Sequence, residues 1–541
     1  MTVNSHLYWN NKGDDFYQNR AFHKAIECYR KALEFHKNSS LVWKNLGDTY
    51  INIKRLNKSI KCYNHALKLN PQYKEVWNNK GMAYSHFEKN NEAIQCYDNA
   101  LKLDSQYVLA LNNKGSSLIQ LKKYKEAINS YNRALKIEPT KLIVLYNKGL
   151  TLYYLKRYED AIECFDKTLN LKPNHIFTLV NKGIVLAHLK KYEKAIDIFN
   201  KALGLGSNEK QTWHNKGTAL GKLKRYEEAI KCFDKALELD SNYIQALRGK
   251  GIALSHLKKY QDALYYYNET LELDSKSIQS WNNKGVILDK LKRYEEAIYC
   301  FNRALKLDPK YIFAWSNKGF SLNNLRRYED AINYYDRALE LDSKEKETWY
   351  NKGTALGKLK RYKEAIKCFD KALELDNNYL NASKGMGIVL FHLKNYKDAS
   401  VFYNKILDVE PESKQAWNNK GVIFYKLGRY LDAINCFNKV LKLDPKYKFA
   451  WNNIGLSQTN LEKYSDAVIS YNKALELDPN YADAWYNKAC TESEINIINQ
   501  SIKNLEKAII LDKNYKKKAQ NNKHFRKIKN LPEFIKLTSN S

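Results

Sequence analysis

The chain is 541 residues long and carries 91 Lys and Arg against 59 Asp and Glu, a net charge of +32 at neutral pH. No run approaches the ~18 consecutive apolar residues of a membrane span, and Met1 to Trp9 lacks the basic-then-apolar layout of a secretory leader, so a cytoplasmic protein is expected. Nine cysteines and eleven histidines form no C-x-x-C pair, no H-E-x-x-H and no ligand-spaced cluster, so neither metal nor cofactor is expected.

From Trp9 onward the sequence repeats. Trp9, Trp43, Trp77, Trp213, Trp281, Trp315, Trp349, Trp417, Trp451 and Trp485 are separated by multiples of 34 residues, and Leu111, Leu145, Leu179 and Leu247 hold the same slot elsewhere. Units begin at residues 6, 40, 74, 108, 142, 176, 210, 244, 278, 312, 346, 380, 414, 448 and 482, and fifteen of them fill residues 6–515. Each predicts two short helices. In the second unit Trp43, Leu46, Gly47 and Tyr50 recur at helical spacing, Ile60, Tyr63, Ala66 and Leu67 repeat it, and Pro71 ends the pair. A strict period of this size means that each unit buries its apolar face against its neighbours, so one elongated array is expected.

Within the unit the eighth place is Gly from Gly13 through Gly455, and only a residue without bulk lets the second helix come close. Ala25, Ala93 and Ala127 supply the facing small surface, and Tyr63 or Phe165 fills the space between. Seven of the eight prolines stand at the thirty-second place. The fifteenth unit is degenerate, with Ile498, Ser501 and Leu505 in signature slots. After it, residues 516–541 predict a capping helix and tail, in which Phe525, Ile528, Leu531, Phe534 and Ile535 cover the last exposed core.

Trp43-x-x-Leu46-Gly47-x-x-Tyr50, with Tyr63 and Pro71 in the later slots, resembles the tetratricopeptide repeat (TPR) signature. The resemblance covers residues 6–515 in one phase. It implies an all-α fold, a right-handed α-solenoid or superhelix of helix-turn-helix units, whose first helices line a concave groove.

Eight cysteines (Cys28, Cys62, Cys96, Cys164, Cys232, Cys300, Cys368 and Cys436) share the twenty-third place. Equivalent points on packed helices lie roughly 8–10 Å apart, too far for a disulfide, so they are expected to be reduced, half-buried packing residues. Basic pairs such as Lys54-Arg55, Lys224-Arg225, Lys292-Arg293 and Lys360-Arg361 recur where the two helices meet and must form a stripe. The stripe reads as a solvated edge or as a footprint for acidic protein or nucleic acid. No aromatic residue interleaves with it as a stacking platform would require.

On a helical wheel the second, sixth, ninth and thirteenth places lie opposite the packed seam of the first helix. The sixth is Asn at Asn11, Asn45, Asn79, Asn113, Asn147, Asn181, Asn215, Asn283, Asn317, Asn351, Asn419, Asn453, Asn487 and Asn521, with Gly249 and Gly385 the departures. Asn is a mediocre helix former whose amide offers donor and acceptor to a peptide backbone. The row resembles the asparagine ladder in the TPR superhelix of O-linked N-acetylglucosamine transferase, where such residues hold a peptide. Asn79, Asn113, Asn147, Asn181, Asn215, Asn283, Asn317, Asn351, Asn419 and Asn453 are therefore the candidate peptide-binding residues. The other reading is that they bond to the neighbouring repeat. At the seventh place, Lys12, Lys80, Lys114 and Lys182 are expected to pack their stems. The resemblance does not extend to a dicarboxylate clamp, because Leu109 and Phe449 stand where its basic residues belong.

Thr212 to Tyr243 and Thr348 to Tyr379 differ only at 214/350, 227/363 and 241/377, so a four-repeat block is duplicated. No phosphate loop, nucleophile elbow or catalytic domain is evident outside the repeats. The sequence therefore points to a non-enzymatic scaffold that binds extended peptide segments of other proteins. The alternatives are a targeting partner of a separate enzyme such as a glycosyltransferase, and a basic-edge binder of nucleic acid or acidic proteins.

Overall fold

The computed structural model of the protein describes residues 2–539. It divides into two compact units, Met1–Ser275 and Lys276–Ser541. The first stacks eight antiparallel helix pairs, from Thr2–Gln18 with Phe22–Phe35 to Ile244–His256 with Tyr260–Leu273. The second stacks seven, from Ile278–Lys290 with Tyr294–Leu307 to Ala482–Glu494 with Ile498–Leu511, and adds a terminal cap. Every described element is helical, so each unit is an all-α solenoid.

A close approach at the eighth place sets the geometry of the pair. A Cβ added to Gly47 would stand 2.6 Å from the ring of Tyr63, the twenty-fourth residue of the same repeat. Tyr63 is fully buried, as are Tyr29, Tyr131, Phe301 and Phe369 in the same slot, and the alanines at Ala25, Ala93 and Ala127 are equally sealed. The ring thus occupies the volume that a side chain on the first helix would need.

The first helix ends in a left-handed residue in all fifteen repeats. Only Gly428 is a glycine; the other fourteen are Lys, Arg, Glu or Asn at φ between 56° and 62°, including Lys54, Lys292 and Arg326. The Arg55 N–H reaches back to the Tyr50 carbonyl at 2.8 Å and the Lys54 N–H to that of Ile51 at 2.8 Å, the paired bonds of a Schellman termination. The basic pairs therefore sit at a backbone corner that turns the chain into the second helix.

Tryptophan anchors the connection between repeats. The indole N–H of Trp77, Trp315, Trp417, Trp451 and Trp485 donates to the carbonyl of the proline six residues earlier, at 2.8–3.1 Å. The residue before that proline closes an Asx turn: Asp308 accepts the Lys310 N–H at 2.9 Å and Asp478 the Asn480 N–H at 2.9 Å. Lysines at the first place of the same repeat pair with these aspartates' counterparts one repeat on, Lys346 with Asp376 at 2.6 Å and Lys414 with Asp444 at 2.8 Å.

All nine cysteines are free and buried, more deeply than the half-burial expected from the sequence. Burial raises the Cys62 thiol to about 12 and the Cys300 thiol to about 11.

The terminal cap is two short helices rather than one, Asn514–Gln520 and Pro532–Thr538, joined through a 3-10 turn at Lys523–Phe525. Asn522 accepts the His524 N–H at 3.1 Å, and Pro532 opens the last helix, so the chain bends where a single helix was predicted. Phe525, Ile528 and Phe534 close over Tyr486, Ala489 and Leu505. Ile535 instead lies 51% exposed, and Leu537 packs in its place.

Candidate functional site

The candidate asparagines stand in mid-helix on the first helix of their repeats, where fully buried neighbours such as Ala314 and Leu322 fix that helix's orientation. All ten are half-buried. Seven of them donate a side-chain N–H to the preceding repeat. Asn113 reaches Asn78 Oδ1 at 3.0 Å, Asn147 reaches Asn112 at 3.0 Å, Asn317 reaches Asn282 at 3.0 Å and Asn453 reaches Asn418 at 3.5 Å. Asn79 uses Asp48 at 2.9 Å, Asn181 the Tyr146 hydroxyl at 3.2 Å and Asn419 the Tyr403 hydroxyl at 3.2 Å. Six of the asparagines thus form a seam between stacked first helices, and Asn419 bonds to the second helix of the repeat before it. Asn181 donates a second time, to the Phe177 carbonyl of its own helix at 2.8 Å.

The other three differ. Asn215 shares its Oδ1 with His214 Nδ1 at 3.3 Å. Asn283 and Asn351 have no side-chain hydrogen bond among the described residues, so their whole amides are open. Before Asn351 the partner slot holds Ser316, which is too short to span the gap and bonds to Thr348 at 2.8 Å instead.

The two glycine departures each lie against an aromatic ring. A Cβ on Gly249 would meet the Phe233 ring at 2.7 Å, and one on Gly385 would meet Phe369 at 2.6 Å. Each ring also lies against the glycine of its own repeat, Gly217 or Gly353, so it is held between two glycines.

A second row of rungs, not anticipated from the sequence, lies seven residues further along the helix. Asn52 donates to the Tyr17 hydroxyl at 3.0 Å, Asn460 to that of Tyr425 at 3.1 Å, and the Tyr153 hydroxyl meets His188 Nε2 at 3.1 Å. The signal was present as Tyr at the twelfth place followed, 35 residues on, by a polar residue.

Some lysines at the seventh place form ion pairs, and others, such as Lys12 and Lys80, lie over the tryptophan ring of their own repeat at 5.1 Å. Lys114 bonds to Asp98 at 2.6 Å and Lys250 to Asp234 at 2.5 Å, and Lys182 and Lys352 pair with Asp166 and Asp336 in the same way. Several arginines of the basic stripe are paired too. Arg225 forks onto Glu228 at 2.7 Å, Arg293 onto Glu296 at 2.6 Å and Arg361 onto Glu364 at 2.7 Å, one turn into the second helix.

Asp289 is the titratable group most altered by its surroundings on this helix. Burial pushes its carboxyl up to about 6 against the Ser321 hydroxyl, which donates to it at 2.7 Å. Among the described residues no group of three or more His, Cys, Asp or Glu is placed to hold a metal ion, and no helix is long and apolar enough to cross a membrane.

The repeat geometry is matched in sequence. The tetratricopeptide repeat family matches residues 40–73, 75–107, 108–141, 278–311, 312–345, 347–379, 415–447 and 449–481. Further forms of the same repeat match 140–206, 210–276 and 470–510. The chain belongs to the tetratricopeptide repeat family. No curated protein matches it in sequence.

Among solved structures, this TPR chain is similar to the APC/C hetero-tetramer Cut9–Hcn1, at 16% identity over 88% of this chain and 94% of that one, with a TM-score of 0.44. It is also similar to yeast Tom70, at 19% identity over 77% and 94% with a TM-score of 0.34. YrrB, described as a TPR protein with an unusual peptide-binding site, matches at 24% identity over 35% and 96% with a TM-score of 0.31.

Proposed function

We propose that this TPR protein is a non-enzymatic scaffold that holds extended peptide segments of other proteins along the exposed face of its first helices. Asn79, Asn113, Asn147, Asn181, Asn215, Asn283, Asn317, Asn351, Asn419 and Asn453 meet the peptide backbone. Membership of the repeat family supports a protein-interaction role. The observation that carries the finer reading is the state of the amides. Asn283 and Asn351 keep both donor and acceptor open on a half-buried floor, the placement at which a hydrogen bond to a peptide gains most. Six of their seven bonded counterparts have one amide N–H with no partner among the described residues, while Asn181 donates twice. We infer a cytoplasmic location, with which unbridged thiols are compatible.

The test is a photo-crosslinking amino acid placed at Thr354, one turn from Asn351, in the full chain incubated with cell extract. Recovered peptides should come from extended segments of partner proteins, and capture should fall when Asn283 and Asn351 are changed to Ala. Capture that survives that double change but vanishes when Lys292 and Arg293 are neutralised would move the binding site to the edge and overturn the reading.

A further inference from the structure

One cavity lies on the candidate face itself. It spans the twelfth and thirteenth repeats of the chain, within the second unit, measures about 120 Å³ and is lined by Ile388, Phe391, Tyr403, Asn419, Val422 and Ile423. Its wall is apolar apart from the Asn419 amide and the Tyr403 hydroxyl, which accepts an N–H from that amide at 3.2 Å. A polar guest would lose most of its hydration against such a wall, so the cavity favours an apolar one. The volume is about four times the ~30 Å³ that a water occupies in the liquid. That is room for the four carbons of a leucine or isoleucine side chain. Ile388, at 48% exposed, forms the lip.

The electrostatics around the opening have one sign. The second, sixth, ninth and thirteenth places of these two repeats are Asn381, Gly385, Ile388 and His392, then Gln415, Asn419, Val422 and Lys426, with no carboxylate among them. Lys426 follows Val422 by one helical turn and so stands beside the opening. It is exposed and has no ion pair among the described residues, and its ammonium lies 5.8 Å from the Tyr425 ring. His392 follows Ile388 by the same step and is stacked on Tyr362 at 5.4 Å. An unpaired lysine beside an apolar cavity is complementary to a carboxylate next to an aliphatic side chain.

We propose that this cavity is a specificity pocket for one branched aliphatic residue of a bound extended segment, with an acidic residue of that segment close in sequence and held by Lys426. The inference rests on the reading of the first-helix face as peptide-binding. The Asn419 amide stands at the pocket mouth, where its second N–H can hold the backbone beside the inserted side chain. Gly385, the ladder position of the preceding repeat, presents no side chain to obstruct entry.

The experiment uses the full chain and fluorescein-labelled twelve-residue peptides. They carry Leu, Ala or Trp at the centre, and Asp, Asn or Lys two residues to either side. Fluorescence anisotropy should show the Leu–Asp peptide binding about tenfold more tightly than its Ala–Asp counterpart, with Trp no better than Ala. Val422→Phe, which fills the cavity, should abolish the Leu-over-Ala difference. Lys426→Glu should reverse the preference for Asp over Lys. Should Val422→Phe fail to fold, Val422→Ala enlarges the cavity and should shift the preference from Leu to a bulkier side chain. Equal binding of Leu and Ala peptides, or a difference that survives Val422→Phe, overturns the pocket. If the Asn283→Ala/Asn351→Ala chain still loses peptide binding in that case, the groove reading stands. Peptide binding that ignores the asparagine changes overturns the groove reading instead.

Discussion

Asn317 donates its side-chain N–H to Asn282 Oδ1 of the preceding repeat at 3.0 Å, whereas Asn351, the equivalent residue one repeat later, has no side-chain partner among the described residues. The same slot of the same helix thus serves two purposes, and mutation can separate them. Asn282 is only 6% exposed, so Asn317→Ala leaves a buried acceptor unpaired and should destabilise the second unit by about 1–3 kcal/mol. Asn351→Ala breaks no such bond and should be neutral or stabilising by a few tenths of a kcal/mol, since Ala is the better helix former. Urea unfolding of the two variants beside a peptide titration should therefore give opposite patterns. Asn317→Ala shifts the midpoint most, while Asn351→Ala chiefly weakens binding.

Glycine positions make a second pair. A Cβ at Gly285 would stand 2.5 Å from the Phe301 ring, whereas one at Gly221 would meet nothing within 4 Å. Gly285→Ala should cost about 1–3 kcal/mol through overpacking. Gly221→Ala lies near the end of the helix Lys210–Lys222 and should stabilise by up to about 1 kcal/mol. Thermal melts followed by circular dichroism decide the signs.

At the left-handed corner, Lys292→Gly should stabilise by about 0.5–1 kcal/mol, the strain of a side chain at positive φ less the added freedom of the unfolded chain. Gly428→Ala should destabilise by about as much. Hydrogen exchange of the amides flanking each corner reports the change locally. This matters because an array of repeats need not unfold in one step.

The Asp289 carboxyl is raised from an unfolded value of about 3.9 to about 6, chiefly by burial. The folded chain therefore binds this proton more tightly than the unfolded one. Ionisation then subtracts stability progressively between pH ~4 and ~6, and the full penalty applies above that. Asp289→Asn keeps an acceptor for the Ser321 hydroxyl and removes the charge. It should stabilise the protein at pH 7 by on the order of 1 kcal/mol, after discounting for partial exposure, and make no difference near pH 4. A gain of equal size at both values would mean that the carboxyl does not titrate in this range.

The repeat, its helix pair and the role of the glycine at the eighth place were legible because each depends on residues within one 34-residue unit. Gly47 and Tyr63 lie in the same pair, and periodicity alone brings them together. The asparagine seam was less legible because its partners are 35 residues apart, one more than the period. That offset comes from the stagger between stacked first helices. Asn at Asn78, Asn112, Asn282 and Asn452 offered the clue, but an Asn-rich composition hid it. The left-handed corner was hidden for a different reason. Glycine usually marks such a site, and here Lys54 or Arg326 takes it, so the residues read only as charge. The cavity beside Asn419 needed side chains from three helices and leaves no pattern along the chain.

The rings held between two glycines limit how this array can be recombined. Phe369 needs Gly353 in its own repeat and Gly385 in the next, just as Phe233 needs Gly217 and Gly249. Splicing in a foreign repeat at residue 380 that carries asparagine at the sixth place would force the Phe369 ring to shift, since the asparagine-compatible rings of this chain, such as Phe301 ahead of Asn317, have no second glycine against them. Removing the repeat that starts at residue 346 would set Gly385 against Tyr335, a ring that now stands ahead of Asn351. The smallest cassette that keeps each of these two rings with both of its glycines is therefore a pair of adjacent repeats. The duplicated four-repeat block obeys this rule, since each copy carries its ring and both glycines together. Shuffling single repeats, which a uniform 34-residue period invites, costs a repacked phenyl ring at these two points.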